Sequence, residues 1–171
     1  MFSKFVQNHS KLGIRLSAFA LAGMALLAGS SAAYADGRCK KVDGHYAEHI
    51  VPAPECTSPF GLCVAGDFRG DIYGGFFGSV NSLTPTAVGE VLLFTTDTTI
   101  HAQIGNKQGD LMIKNAGAFQ TAGAGNIVDL QYIVGGTGDF SGASGAIRAS
   151  GAFNSATGTG ESDYEGQVCL P

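Results

Sequence analysis

The sequence predicts an all-β fold of about eight short strands, stacked as a sandwich or closed into a barrel, with a short N-terminal arm. Three observations carry this expectation. Glycine fills 26 of 171 positions, about double the usual share, without collagen's every-third period. Hydrophobic residues make up 44% of the chain, too many for a disordered segment. From Leu62 onward, short runs rich in β-branched and aromatic residues alternate with clusters of Gly, Asn, Asp and Ser. No window shows a 3.6-residue apolar period with caps, and glycine at this density is costly inside helices.

Residues 1–35 read as a secretory signal peptide. Lys4, Lys11 and Arg15 form a basic start, and Leu16 to Ala28 is an uncharged apolar run. Ala33-Tyr34-Ala35 is a small-x-small cleavage site, so the mature chain is expected to begin at Asp36. The apolar run has 13 residues, short of the ~20 needed to span a bilayer as a helix. The expected location is secreted or periplasmic. Cleavage leaves seven basic against fourteen acidic residues, a charge of −7. That charge disfavours nucleic acid and anionic membranes as partners.

Residues 36–60 hold three of the five prolines, Pro52, Pro54 and Pro59, and read as a strapped arm. The barrel is expected over residues 61–171. Its strands are read at Val64 to Ile72, Tyr73 to Val80, Val88 to Thr96 and Thr98 to Ile104. Four more follow at Leu111 to Lys114, Ile127 to Val134, Ala146 to Phe153 and Tyr164 to Leu170. Gly66, Gly70, Gly74 and Gly78 recur every four residues, suited to strand bending or close backbone approach. Val128, Leu130, Tyr132 and Val134 form one apolar face of their strand. Ile127 and Ile133 bracket Asp129 and Gln131 on the other, a polar pair read as an outward face. Arg148 with Ser150 is read the same way.

Cys39, Cys56, Cys63 and Cys169 are an even set in an exported chain and suggest two disulfides. Of three connectivities, Cys39–Cys56 with Cys63–Cys169 is expected. In a closed antiparallel barrel the start of the first strand lies beside the end of the last. No C-x-x-C pair offers zinc spacing, so no metal is expected. His45-Tyr46-Ala47-Glu48-His49 matches a bare H-x-x-E-H pattern. That chemistry needs a helix, and this stretch lies between Gly44 and Pro52 in a β-rich chain. His101 stands alone on a strand, and no G-x-S-x-G elbow supports a hydrolytic triad.

The strongest local signature is Gly135-Gly136-Thr137-Gly138-Asp139-Phe140-Ser141-Gly142-Ala143-Ser144-Gly145. It lacks the third glycine of a dinucleotide loop and the G-K-[ST] of a phosphate loop, so no cofactor is expected. It reads as a tight turn with Phe140 plugged inward. The run resembles the Gly-Gly-Thr-Gly-x-Phe-x-Gly-Ala-x-Gly signature of the allene oxide cyclase and dirigent barrels. The similarity covers roughly residues 56–171 and includes the cysteine-bounded start Cys56 to Cys63, which looks like a secreted bacterial branch. It implies an eight-stranded barrel, a homotrimer, and an apolar cavity that steers a cyclisation or a radical coupling. Ser144 stands where dirigent proteins commonly carry arginine, a departure from the coupling enzymes.

A cyclase-like site needs an apolar pocket with a few polar groups to orient a substrate. Glu90 is the candidate catalytic group, since alternation places it on one face with Leu92 and Phe94. A structural partner, Arg148, is the competing role. Phe94, Tyr73 and Tyr132 are candidate ligand contacts. The tyrosines fit a cavity lining or an outer apolar skin equally. Two functions follow: a barrel that binds an apolar small molecule and guides its cyclisation or isomerisation, or a non-catalytic exported protein acting through its surface.

Overall fold

The computed structural model of the chain describes residues 38–171 apart from Val88. The expected leader lies outside the described residues. Eight strands follow one another: β1 (Arg38–Val51), β2 (Cys63–Gly70), β3 (Gly74–Pro85), β4 (Val91–Ile104), β5 (Lys107–Gln120), β6 (Asn126–Gly136), β7 (Ser144–Asn154) and β8 (Thr159–Leu170). Each pairs antiparallel with its neighbours in sequence, and β8 closes on β1. Closure leaves no unpaired sheet edge.

The count of eight agrees with the sequence reading because two differences offset each other, while β5 and β8 run beyond the expected Leu111 to Lys114 and Tyr164 to Leu170. Arg38–Val51 is a full barrel strand, bonded to β2 on one side and β8 on the other, so the expected arm is β1 plus a connection at 52–60. The prolines that suggested an arm all fall after Val51. The runs Val88 to Thr96 and Thr98 to Ile104 are one strand, β4. Asp97, read as a break, is an outward residue whose carboxylate accepts a 2.6 Å bond from Lys114 Nζ on β5.

The disulfides are Cys39–Cys169 and Cys56–Cys63, which corrects the expected pairing. The geometric argument holds for the true first strand. Cys39 opens β1 and stands directly opposite Cys169 near the end of β8, with Cα atoms 3.9 Å apart. The second bridge staples the β1–β2 connection.

The two ends of the barrel differ. At one end lie the chain termini of the barrel and the β2–β3, β4–β5 and β6–β7 turns. This end is filled by Val42, Ile100, Leu111, Ile113, Ile147 and Val168. Two connections plug it: Ile72 and Phe140 are both fully buried. Phe140 sits on a single 3₁₀ turn, Gly138–Phe140, started by Gly138 at φ +57°, as the inward plug read from the sequence requires. Ile72 is pinned by Tyr164, whose hydroxyl accepts from the Ile72 N–H at 2.9 Å. The opposite end, bounded by the other four turns, is not filled.

Candidate functional site

The open half of the barrel is a cavity of about 210 Å³. Its mouth is apolar, with Ile50, Leu62, Leu83, Phe94, Phe119 and Phe153 around it. Its floor is polar, formed by Tyr46 and Glu48 from β1, Thr96 and Thr98 from β4, Asn115 from β5, and Asp129 with Gln131 from β6. Below the floor an aromatic cluster begins. Tyr46, Phe68 and Phe76 stand with ring centroids 4.8 to 5.6 Å apart.

Strand alternation sets this arrangement. Along β1 the inward residues are Val42, Tyr46, Glu48 and Ile50, while His45 and His49 are exposed. The H-x-x-E-H pattern is therefore a strand that turns its histidines outward and its glutamate inward. On β6 the inward residues are Ile127, Asp129, Gln131 and Ile133. The polar pair read as an outward face is the cavity floor, and the apolar face of Val128, Leu130, Tyr132 and Val134 is exposed. Room for the cavity comes partly from small residues. A Cβ on Gly160 of β8 would stand 2.7 Å from Phe153 Cδ2 and 3.0 Å from Glu48 Oε1.

The two carboxyl groups lack a countercharge. Among the described residues, no lysine, arginine or histidine lines the cavity. Asp129 accepts from Asn115 Nδ2 at 3.0 Å and from Gln131 Nε2 at 3.2 Å. Burial nevertheless pushes its pKa up to about 6, against the pull of those two bonds. Burial, with the negative charge of Asp129, raises Glu48 to about 7. The Tyr46 hydroxyl is held well above its ordinary pKa by burial and then by both carboxylates, opposed by Ser162 and Gln131. Among the described residues, the buried oxygens Glu48 Oε1 and Asn115 Oδ1 have no hydrogen-bond partner, and Ser162 Oγ has only the adjacent Tyr46 hydroxyl. Unpaired buried polar atoms are uncommon in folded proteins, and Glu48 and Asn115 both line the cavity floor.

The residues expected at the site divide. Phe94 lines the cavity mouth. Glu90 does not reach the cavity. It is exposed in the β3–β4 turn with φ +49°, and this left-handed residue breaks the alternation that linked it to Phe94. Its backbone carbonyl, not its carboxylate, is engaged, accepting from Thr121 N at 2.7 Å. Arg148 faces Glu165 instead, at 3.7 Å on the outer surface. Tyr73 and Tyr132 are more than half exposed and belong to the outer skin. Arg69 stacks over Tyr73 with Cζ 4.7 Å from the ring centroid. His101 bonds Asp110, which also accepts from Thr137. The aspartate sits in the middle of that set, whereas a hydrolytic triad needs the histidine there.

Glu48 and Asp129 line the cavity although neither is among the residues that the sequence singles out as site candidates. The signal was a carboxylate in register with apolar residues two positions away: Glu48 between Tyr46 and Ile50, Asp129 beside Ile127. No family model matches the chain, and no curated protein sequence is similar to it.

Proposed function

We propose that this chain is an exported small-molecule-binding barrel. Its open half holds an apolar ligand by shape and orients it on the Glu48–Asp129 floor. One observation carries the reading: the cavity joins an apolar mouth to buried oxygens of Glu48 and Asn115 that have no partner among the described residues. Such a combination is typical of ligand sites. Two disulfides fit an oxidising compartment, which supports export.

The resemblance to the allene oxide cyclase and dirigent barrels extends the proposal to guided cyclisation or isomerisation. Glu48 suits such a step. A carboxyl near pKa 7 can give and take a proton at neutral pH. The walls would supply the remainder of the effect by holding one reactive conformer.

The chain has no tryptophan, so Phe94→Trp places a single indole in the cavity wall. Titration of that variant with n-hexanol is expected to give a saturable change in indole emission. Val80→Phe, which adds a ring to a buried lining position, should weaken that binding about tenfold or more while the β-sheet signal in circular dichroism persists. A response linear in alcohol would count against the site.

A second reading, action through the outer surface, is favoured by the exposed apolar face. Val128, Leu130, Tyr132 and Val134 on β6 adjoin Leu93 on β4 through Ala118, and Met112 on β5. A homotrimer, implied by the resemblance, would cover it. Light scattering is expected to give three times the chain mass, and Val128→Lys with Tyr132→Lys should reduce it to one. A single-chain mass at every concentration would remove this reading.

A further inference from the structure

We propose that the cavity's ligand is a small hydrophobic amine, bound as its ammonium ion between Glu48 and Asp129 on the polar floor. The inference rests on the ligand-binding reading above and narrows it to one chemical class.

The first argument is the kind of partner that is missing. Asn115 spends its Nδ2 on Asp129, so its free Oδ1 can only accept. Glu48 Oε1, when ionised, can only accept as well. The floor therefore calls for a donor with several hydrogens. An ammonium group offers three, and an alcohol one.

The second argument is charge. Two carboxyl groups face the cavity without a basic side chain among the described residues. A carboxylate ligand would add a third negative charge, and a cation would cancel one. The third argument is the floor itself. Tyr46, Phe68 and Phe76 all line the cavity, so the space beside the carboxyl groups is bounded by aromatic rings, which suit a cation. The fourth is size. At about 210 Å³, the cavity lies below the roughly 300–1,000 Å³ of drug-sized sites. It suits a head group with a short chain or single ring.

The ionisable groups facing this space are few. Tyr46 lies on the same strand as Glu48, and Asp129 faces it from β6. The cavity residues from β2, β3, β4, β5 and β7 carry no ionisable side chain. Tyr164 of β8 lies in the filled half, bonded to Ile72. His45 and His49 point outward. Amine affinity should therefore rise with pH as the two carboxyls ionise.

Calorimetric titration of the complete barrel with hexylamine, n-hexanol and hexanoate separates the possibilities, since the three share one chain length. Hexylamine is expected to bind at least about tenfold more tightly than hexanol at about pH 8, with hexanoate weakest. The advantage should shrink toward about pH 5, where both carboxyls are protonated. Glu48→Gln and Asp129→Asn should each reduce the amine-to-alcohol ratio, and either variant suffices if the other does not fold. Equal binding of amine and alcohol, or tighter binding of hexanoate, would overturn the amine proposal and leave the apolar cavity standing. Binding of none of the three would overturn both.

Discussion

Replacing Cys39 and Cys169 together by serine is expected to lower stability by about 5 kcal/mol. The chain-entropy argument sets this scale, because the bridge closes a loop of sequence separation 130. At roughly 3–4 °C per kcal/mol for a domain of this size, the melting temperature should fall by roughly 15 °C or more. The β1–β8 ladder remains to hold the seam, over twelve residue pairs from Arg38↔Leu170 to His49↔Thr159. The variant should therefore still fold. The Cys56–Cys63 bridge closes a loop of separation 7, and its removal should cost only about 2–3 kcal/mol by the same argument. Denaturant unfolding of the two double-serine variants checks the pair. Equal losses would mean that loop length is not what the bridges contribute.

The second large effect is on pH dependence. Glu48 and Asp129 ordinarily titrate near 4.5 and 3.8, and in the fold near 7 and 6. Raised carboxyl values mean that the folded state holds these protons more tightly than the unfolded chain. Below about pH 3 both states are largely protonated and the carboxyls cost nothing. As pH rises toward 6 and then 7, the unfolded chain has already lost protons that the fold retains, so stability falls. Above 7 the loss is complete and constant. Asp110 acts oppositely, its pKa lowered first by the bond to His101, but only in the acid range below 3.8.

Stability is therefore expected to be lower at about pH 8 than at about pH 5. Glu48→Gln should flatten the upper part of the curve and gain roughly 1–3 kcal/mol at about pH 8, the scale for relieving a poorly solvated charge. Thermal unfolding across that range reads both effects. Stability rising with pH through this window would contradict the placement of the two groups.

Much of the fold is legible in the sequence. Strands β2, β3, β6, β7 and β8 announce themselves by β-branched and aromatic runs between turn residues, and Phe140 by its place inside a glycine turn, whereas β4 reads as two strands around Asp97 and β5 shows only its Leu111 to Lys114 stretch. β1 is harder. Gly44 interrupts its alternation, and Pro52, Pro54 and Pro59 follow closely, although none lies inside the strand. Missing β1 shifted the disulfide expectation by one strand while leaving its logic intact. The face of a strand is harder still. β6 carries Ile127 and Ile133 on one side and four apolar residues on the other, so periodicity alone does not say which side is interior. The closed sheet decides it, by turning Asp129 and Gln131 inward. Glu90 shows the opposite limit. Period-two counting assumes an extended backbone, and a left-handed residue ends that assumption.

Two carboxyl groups face the barrel cavity with no countercharge among the described residues. Carbon-detected magnetic resonance titration of the Glu48 and Asp129 carboxyls in the ligand-free barrel tests it most directly. Midpoints of about 7 for Glu48 and about 6 for Asp129 are predicted. Both midpoints near the ordinary 4.5 and 3.8 would mean that the groups are solvated or already paired, and would contradict the account.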